Sequence, residues 1–153
     1  MSASDPGETR TPEGAPSFLG RPGERRESWH WIDPQALQLL HGESLAEHGG
    51  RAGLRDAGLL ASALDRPKNL AAYGEPDLAA LAASYAVGLA KNHAFVDGNK
   101  RAAFLAVGLF LYLNGHRLQA TQADATIAVV ALAAGELSEP AFAEWVRSRM
   151  ATR

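Results

Sequence analysis

An all-α fold is what this 153-residue chain predicts, on three observations. From Asp33 onward apolar residues recur at helical spacing, with no strand-like alternation after a short opening segment. Asp, Ser, Gly and Pro punctuate the pattern where helices start and stop. Two segments, DLAALAASYAVGLAKN and GNKRAAFLAVGLFLYLN, are apolar nearly all round, which places them at the centre of a bundle with the other helices around them.

Residues 1–27, MSASDPGETRTPEGAPSFLGRPGERRE, hold four prolines and four glycines with almost no bulky apolar side chains. Such a segment cannot bury enough surface to offset the entropy of ordering, so a disordered extension is expected, followed by one domain over 28–153. Ser28 to Ile32 alternates as one short extended segment whose aromatics dock on the core. The first helix takes Asp33 as N-cap and Pro34 as its first residue, carries Ala36, Leu37, Leu40 and Leu45, and stops at Gly49-Gly50. Asp56 caps a short second helix bearing Leu59, Leu60, Ala63 and Leu64, which Pro67 closes. The third starts at Asp77. The fourth opens at Gly98 and ends in an Asn114-Gly115 cap. Further helices are expected over Ala123 to Ala134 and from Ser138 to about Met150.

Composition narrows the function. The net charge of −2 argues against direct nucleic-acid binding, so any anion site must be local. The absence of cysteine excludes disulfides, thiolate metal sites and cysteine nucleophiles, and is compatible with the reducing cytoplasm expected for the chain. The longest apolar run, Ala102 to Leu113, is shorter than the roughly 18 residues of a membrane span, and no association with membrane is expected. There is no P-loop.

The chemistry concentrates in KNHAFVDGNKRAAF, Lys91 to Phe104, between the two central helices. Gly98 opens the second of them, so the backbone N–H groups of Asn99, Lys100 and Arg101 are free helix-terminal donors, favourable to phosphate. Lys100 and Arg101 put two cations where the helix dipole opposes them, unless an anion sits there. Asp97 beside phosphates suits Mg²⁺, which is held by one or two carboxylates plus phosphate oxygens and water. His93, at the end of the preceding helix, is placed to act as a general base. Taken singly, His93 reads as a dipole-stabilising helix terminus, Lys100-Arg101 as a solvated face and Asp97 as an N-cap. As a set they read as a phosphoryl- or nucleotidyl-transfer site, with Phe95 the apolar anchor of the loop.

HAFVDGNKR, His93 to Arg101, resembles the signature of the Fic/Doc family in its death-on-curing branch, at all nine positions. WHWIDPQALQLLHGESLAEHGG and GLRDAGLLASALDRPKNLAAYGEPD resemble the family's opening stretches, so the resemblance covers 29 to about 150. It implies a Fic/Doc helical bundle whose two buried central helices flank the motif loop. It also implies ATP and Mg²⁺, with His93 as base toward a protein hydroxyl, Asp97 on the metal, and Gly98, Asn99, Lys100 and Arg101 on the phosphates. The segment Gly53, Leu54, Arg55 and Asp56 corresponds to the flap that positions the substrate protein.

The adenylylating branch reads HPFxxGNGRxxR. This chain differs at Ala94, at Lys100 in place of the second glycine and at Phe104 in place of the last arginine. In the death-on-curing branch the lysine goes with a reversed nucleotide that offers its γ-phosphate, which implies a Ser/Thr protein kinase. Ala61 and Ala102 stand where relatives commonly carry glutamate and threonine. The branch further implies a type II toxin, arrest of translation through elongation factor Tu, and restraint in trans by a small Phd-like antitoxin. A match to the self-inhibitory helix of other Fic proteins, Thr9 to Gly14, is set aside because Pro12 disfavours a helix and its arginine partner is absent. An AMP transferase and a catalytically inactive nucleotide- or antitoxin-binding module are the alternative readings.

Overall fold

Helix α1 (Pro34–His48) starts where Asp33 accepts the Gln35 N–H at 3.0 Å and ends at Gly49. The same device opens four more helices in this computed structural model, which describes residues 29–153. Asp56 accepts from Leu59 at the start of α2 (Ala57–Tyr73), and Asp77 from Ala80 at the start of α3 (Leu78–Lys91). Thr121 accepts from Asp124 and Ser138 from Ala141 at the starts of the last two helices. Each such cap satisfies a backbone donor that the helix itself leaves unpaired. The expected leader, 1–27, and the Thr9 to Gly14 match lie outside the described residues.

Helices α4 (Asn99–Leu113), α5 (Gln122–Ala133) and α6 (Glu139–Arg149) complete an all-α bundle. Trp31 to Arg153 is one compact unit. At its centre is α3, with Leu81, Ala82, Ala83, Ser84, Tyr85, Ala86 and Leu89 fully enclosed, touching α2, α4, α5 and α6. The fourth helix is less central than its composition suggests, since Phe104, Leu105 and Leu109 are half-buried and Tyr112 is exposed.

Two expectations are corrected. The second helix does not stop at Pro67 but runs on to Tyr73. The ring deletes one backbone bond, yet Leu60, Ala63, Leu64, Pro67 and Ala71 form one buried face that carries the helix through. The chain also has strands beyond its start: β1 (His116–Leu118) pairs antiparallel with β2 (Met150–Thr152). Three residues on each side are too few to show a period of two, and the partners lie far apart in sequence.

The segment before α1 docks through aromatics. Trp31 stacks on Phe110 with ring centroids 5.8 Å apart, and the N–H of buried Ile32 donates to the Tyr85 hydroxyl at 3.1 Å. Burial pushes that phenol up to about 12. Between helices, Arg66 of α2 donates to Ser84 Oγ of α3 (3.0 Å) and to both carboxylate oxygens of Glu139 in α6 (2.9 and 2.7 Å). One planar guanidinium thus ties α2, α3 and α6 together.

Candidate functional site

The loop between α3 and α4 is closed by its own side chains. Asn99 accepts the Phe95 N–H (3.0 Å) and donates to the Phe95 carbonyl (3.1 Å), so Phe95 is held from both sides. Its ring is buried and lies 4.0 Å, centroid to centroid, from the imidazole of His41. Both polar atoms of the Asn99 amide are therefore engaged in building the loop. What Asn99 has left for an anion is chiefly its backbone N–H at the start of α4.

His93 sits just past the C-cap of α3 at φ 57°, the one non-glycine residue with positive φ among those described. A non-glycine in that region carries a conformational cost that surrounding structure must hold. Here the holding is visible: Arg55 Nε donates to the His93 carbonyl at 2.8 Å, and Asn92 Nδ2 donates to Leu59 O at 2.7 Å. The His93 side chain is exposed.

Gly53 to Asp56 runs beside this loop. Leu54 and Phe95 form an antiparallel bridge, Val96 N–H donates to Gly53 O, and the N–H groups of Arg55 and Asp56 both donate to Ala94 O. The segment before α2 is thereby aligned edge to edge with the motif, as a short extended strip against exposed Val96.

Asp97 does not cap α4; Gly98 holds that position at φ 70° with no side-chain cap. The Asp97 carboxylate instead accepts from the backbone N–H of Arg51 (Oδ2, 3.2 Å) and of Gly98 (Oδ1, 2.8 Å). Those two donors hold its pKa below the usual carboxylate range, so an exposed, ionised oxygen pair is fixed at the mouth of the helix. A β-carbon on Gly98 would come within 2.9 Å of Leu45 Cδ2 and 3.0 Å of His41 Nε2, and its left-handed backbone also favours glycine.

Ala102 is the first residue of α4 whose N–H bonds to Gly98 O, at 2.9 Å. Ahead of it stand the N–H groups of Asn99, Lys100 and Arg101, helix-terminal donors of the kind that can receive an anion. Lys100 is exposed and lines a groove of about 550 Å³ with Lys91, His93 and the α5 residues Val130 and Ala133. Arg101 turns toward α5, where its guanidinium faces the Gln122 amide and lies 5.9 Å from the Phe104 ring centre. The site thus puts an exposed imidazole, helix-terminal donors with a cation, and an ionised carboxylate around one helix end. Among the described residues no cluster of three or more His, Cys, Asp or Glu could hold a metal alone. A single carboxylate suits Mg²⁺ brought with phosphate oxygens and water.

Sequence reasoning missed His41, 2% exposed, whose Nε2 donates to Gly98 O at 3.1 Å. Burial lowers its pKa, so it is held neutral beneath the loop. It occupies the middle of the buried Leu37, His41, Leu45 row at four-residue spacing, and a histidine in an apolar row was the available signal. Arg51 was missed as well; its role is a backbone N–H, which no side-chain pattern encodes.

The Fic/DOC family model matches residues 31–111, more than half of the chain. A curated relative, Toxin Doc of Mycolicibacterium smegmatis, is 47% identical over 75 residues, covering 47% of this chain and 57% of that protein. The match therefore spans little more than half the length of the relative.

Proposed function

The chain belongs to the Fic/DOC family, and from that membership and the site's geometry we propose that it is the toxin of a type II toxin-antitoxin module, a protein kinase that transfers the γ-phosphate of ATP to a Ser/Thr hydroxyl. The observation that carries this reading is that His93 and Lys100 line one groove at the open N-terminus of α4, with Asp97 ionised beside it. Lys100 adds charge where a glycine would leave room for close backbone approach, and Phe104 offers no clamp for a distant phosphate.

In this mechanism His93 takes the proton of the substrate hydroxyl as its oxygen bonds to the γ-phosphorus, and the bond from that phosphorus to the β,γ-bridging oxygen breaks, releasing ADP. The N–H groups of Asn99, Lys100 and Arg101 and the Lys100 ammonium hold the charge that develops on the phosphoryl oxygens. Asp97 would hold Mg²⁺ together with phosphate oxygens and water, and the ion when bound neutralises phosphate charge. The strip Gly53 to Asp56, with exposed Val96 of the motif loop beside it, offers backbone to an extended substrate segment. The target we propose is elongation factor Tu, and the restraint a small antitoxin acting in trans.

Expression in a bacterial host without an antitoxin tests the reading against an idle binding module. Growth arrest relieved by His93→Ala, with the variant folded by circular dichroism, is the expected result. Arrest of equal strength by wild type and His93→Ala would overturn catalysis as its cause.

A further inference from the structure

Beside the groove that holds His93 and Lys100 lies a second cavity of about 220 Å³, lined by Lys100, Arg101, Phe104, Thr126, Val129 and Val130. Lys100 and Val130 line both, so the two spaces adjoin at the first turn of α4. Their chemistry differs. The larger carries the imidazole and the ammoniums; the smaller is lined by an aromatic ring and two valines together with Thr126, Lys100 and Arg101. No carboxylate lines either one, which suits an anionic ligand with a flat apolar end.

Building on the phosphate-transfer reading, we propose that this cavity receives the nucleobase of the nucleoside triphosphate, stacked on Phe104 with Arg101 at its edge. Phe104 is half-buried, and the space between it and α5 stays open where a purely structural aromatic would be packed shut. Arg101 already lies within cation–π range of the ring.

The cavity also says how the base is read. Its hydrogen-bonding side chains are few: the Thr126 hydroxyl donates to Gln122 O at 2.8 Å, and the Arg101 guanidinium faces the Gln122 amide. The site therefore recognises the face of the base and not its edge, because every base has a π-face. Adenine and guanine nucleotides are both accepted.

Calorimetric titration of the full chain with the Mg²⁺ complexes of ATP, GTP and inorganic tripolyphosphate tests this. ATP and GTP are expected to bind within roughly fivefold of each other and at least about tenfold tighter than tripolyphosphate, the scale of one base–aromatic stack. Phe104→Ala should bring both nucleotides down to the tripolyphosphate value and leave the latter unchanged. Thr126→Trp, which fills the cavity from an exposed position, should do the same and guards against misfolding of the first variant. An undiminished preference for ATP over tripolyphosphate in both variants would overturn the base site while the phosphate site stood, as would a GTP affinity equal to that of tripolyphosphate. Failure of wild type to bind any of the three would overturn the phosphate-transfer reading itself.

Discussion

His41 Nε2 lies 3.1 Å from the carbonyl oxygen of Gly98, so a buried side chain of α1 fixes the residue at which α4 opens. The contact spans 57 positions of sequence, and the Phe95 ring lies tilted against the same imidazole. His41→Ala removes the donor to Gly98 O and leaves a void under Phe95. Its unfolding free energy in urea is expected to fall by on the order of 2–3 kcal/mol. An unchanged midpoint would show that the loop holds its shape without His41.

Gly98→Ala combines a left-handed backbone cost of about 1–2 kcal/mol with a clash against Leu45 and His41. Gly115→Ala serves as the control. That residue has φ 84° with nothing near the added carbon, so it carries the backbone cost alone. Gly98→Ala should lower the thermal midpoint more, and equal losses would mean that Leu45 and His41 yield freely.

Arg55 is exposed, and among the described residues its side chain hydrogen-bonds to the His93 carbonyl. Arg55→Ala is expected to lower kcat for the proposed transfer about tenfold, the size of a lost positioning contact, with little change in thermal midpoint. Rescue by Arg55→Lys should be poor, because an ammonium lacks the planar Nε donor. Full activity in Arg55→Ala would free His93 from this support.

How much of this was legible beforehand follows from what each feature is made of. Asp33, Asp56, Asp77 and Ser138 announce their helices because capping is a local side-chain property. The passage through Pro67 was not legible, since the burial that sustains α2 comes from α3, not from α2 itself. Within the motif, the sequence names His93, Asp97 and Lys100, and the structure places His93 and Lys100 on one groove. It does not reveal that the Asn99 amide closes the loop or that Arg51 steadies Asp97, because both depend on backbone groups brought together by folding.

Stability toward acid should report the pair between α3 and α6. Arg147 donates to both oxygens of Asp77, at 2.8 and 2.9 Å, and holds that carboxyl below its ordinary value. The folded state therefore binds the proton less readily than the unfolded one. The contribution is present above the unfolded carboxylate value of about 3.9 and is lost as pH falls through the lower folded value. Arg147→Met should flatten this part of the stability curve, and an unchanged acid limb would show that other carboxylates control it.

The central proposal is that His93 acts as base for transfer of the γ-phosphate to a protein hydroxyl, with Lys100 and Phe104 selecting that group over AMP. Intact-mass spectrometry of purified elongation factor Tu, incubated with the chain, ATP and Mg²⁺, tests it most directly. The account predicts a gain of one phosphate that is absent with His93→Ala. A gain of one AMP would contradict it.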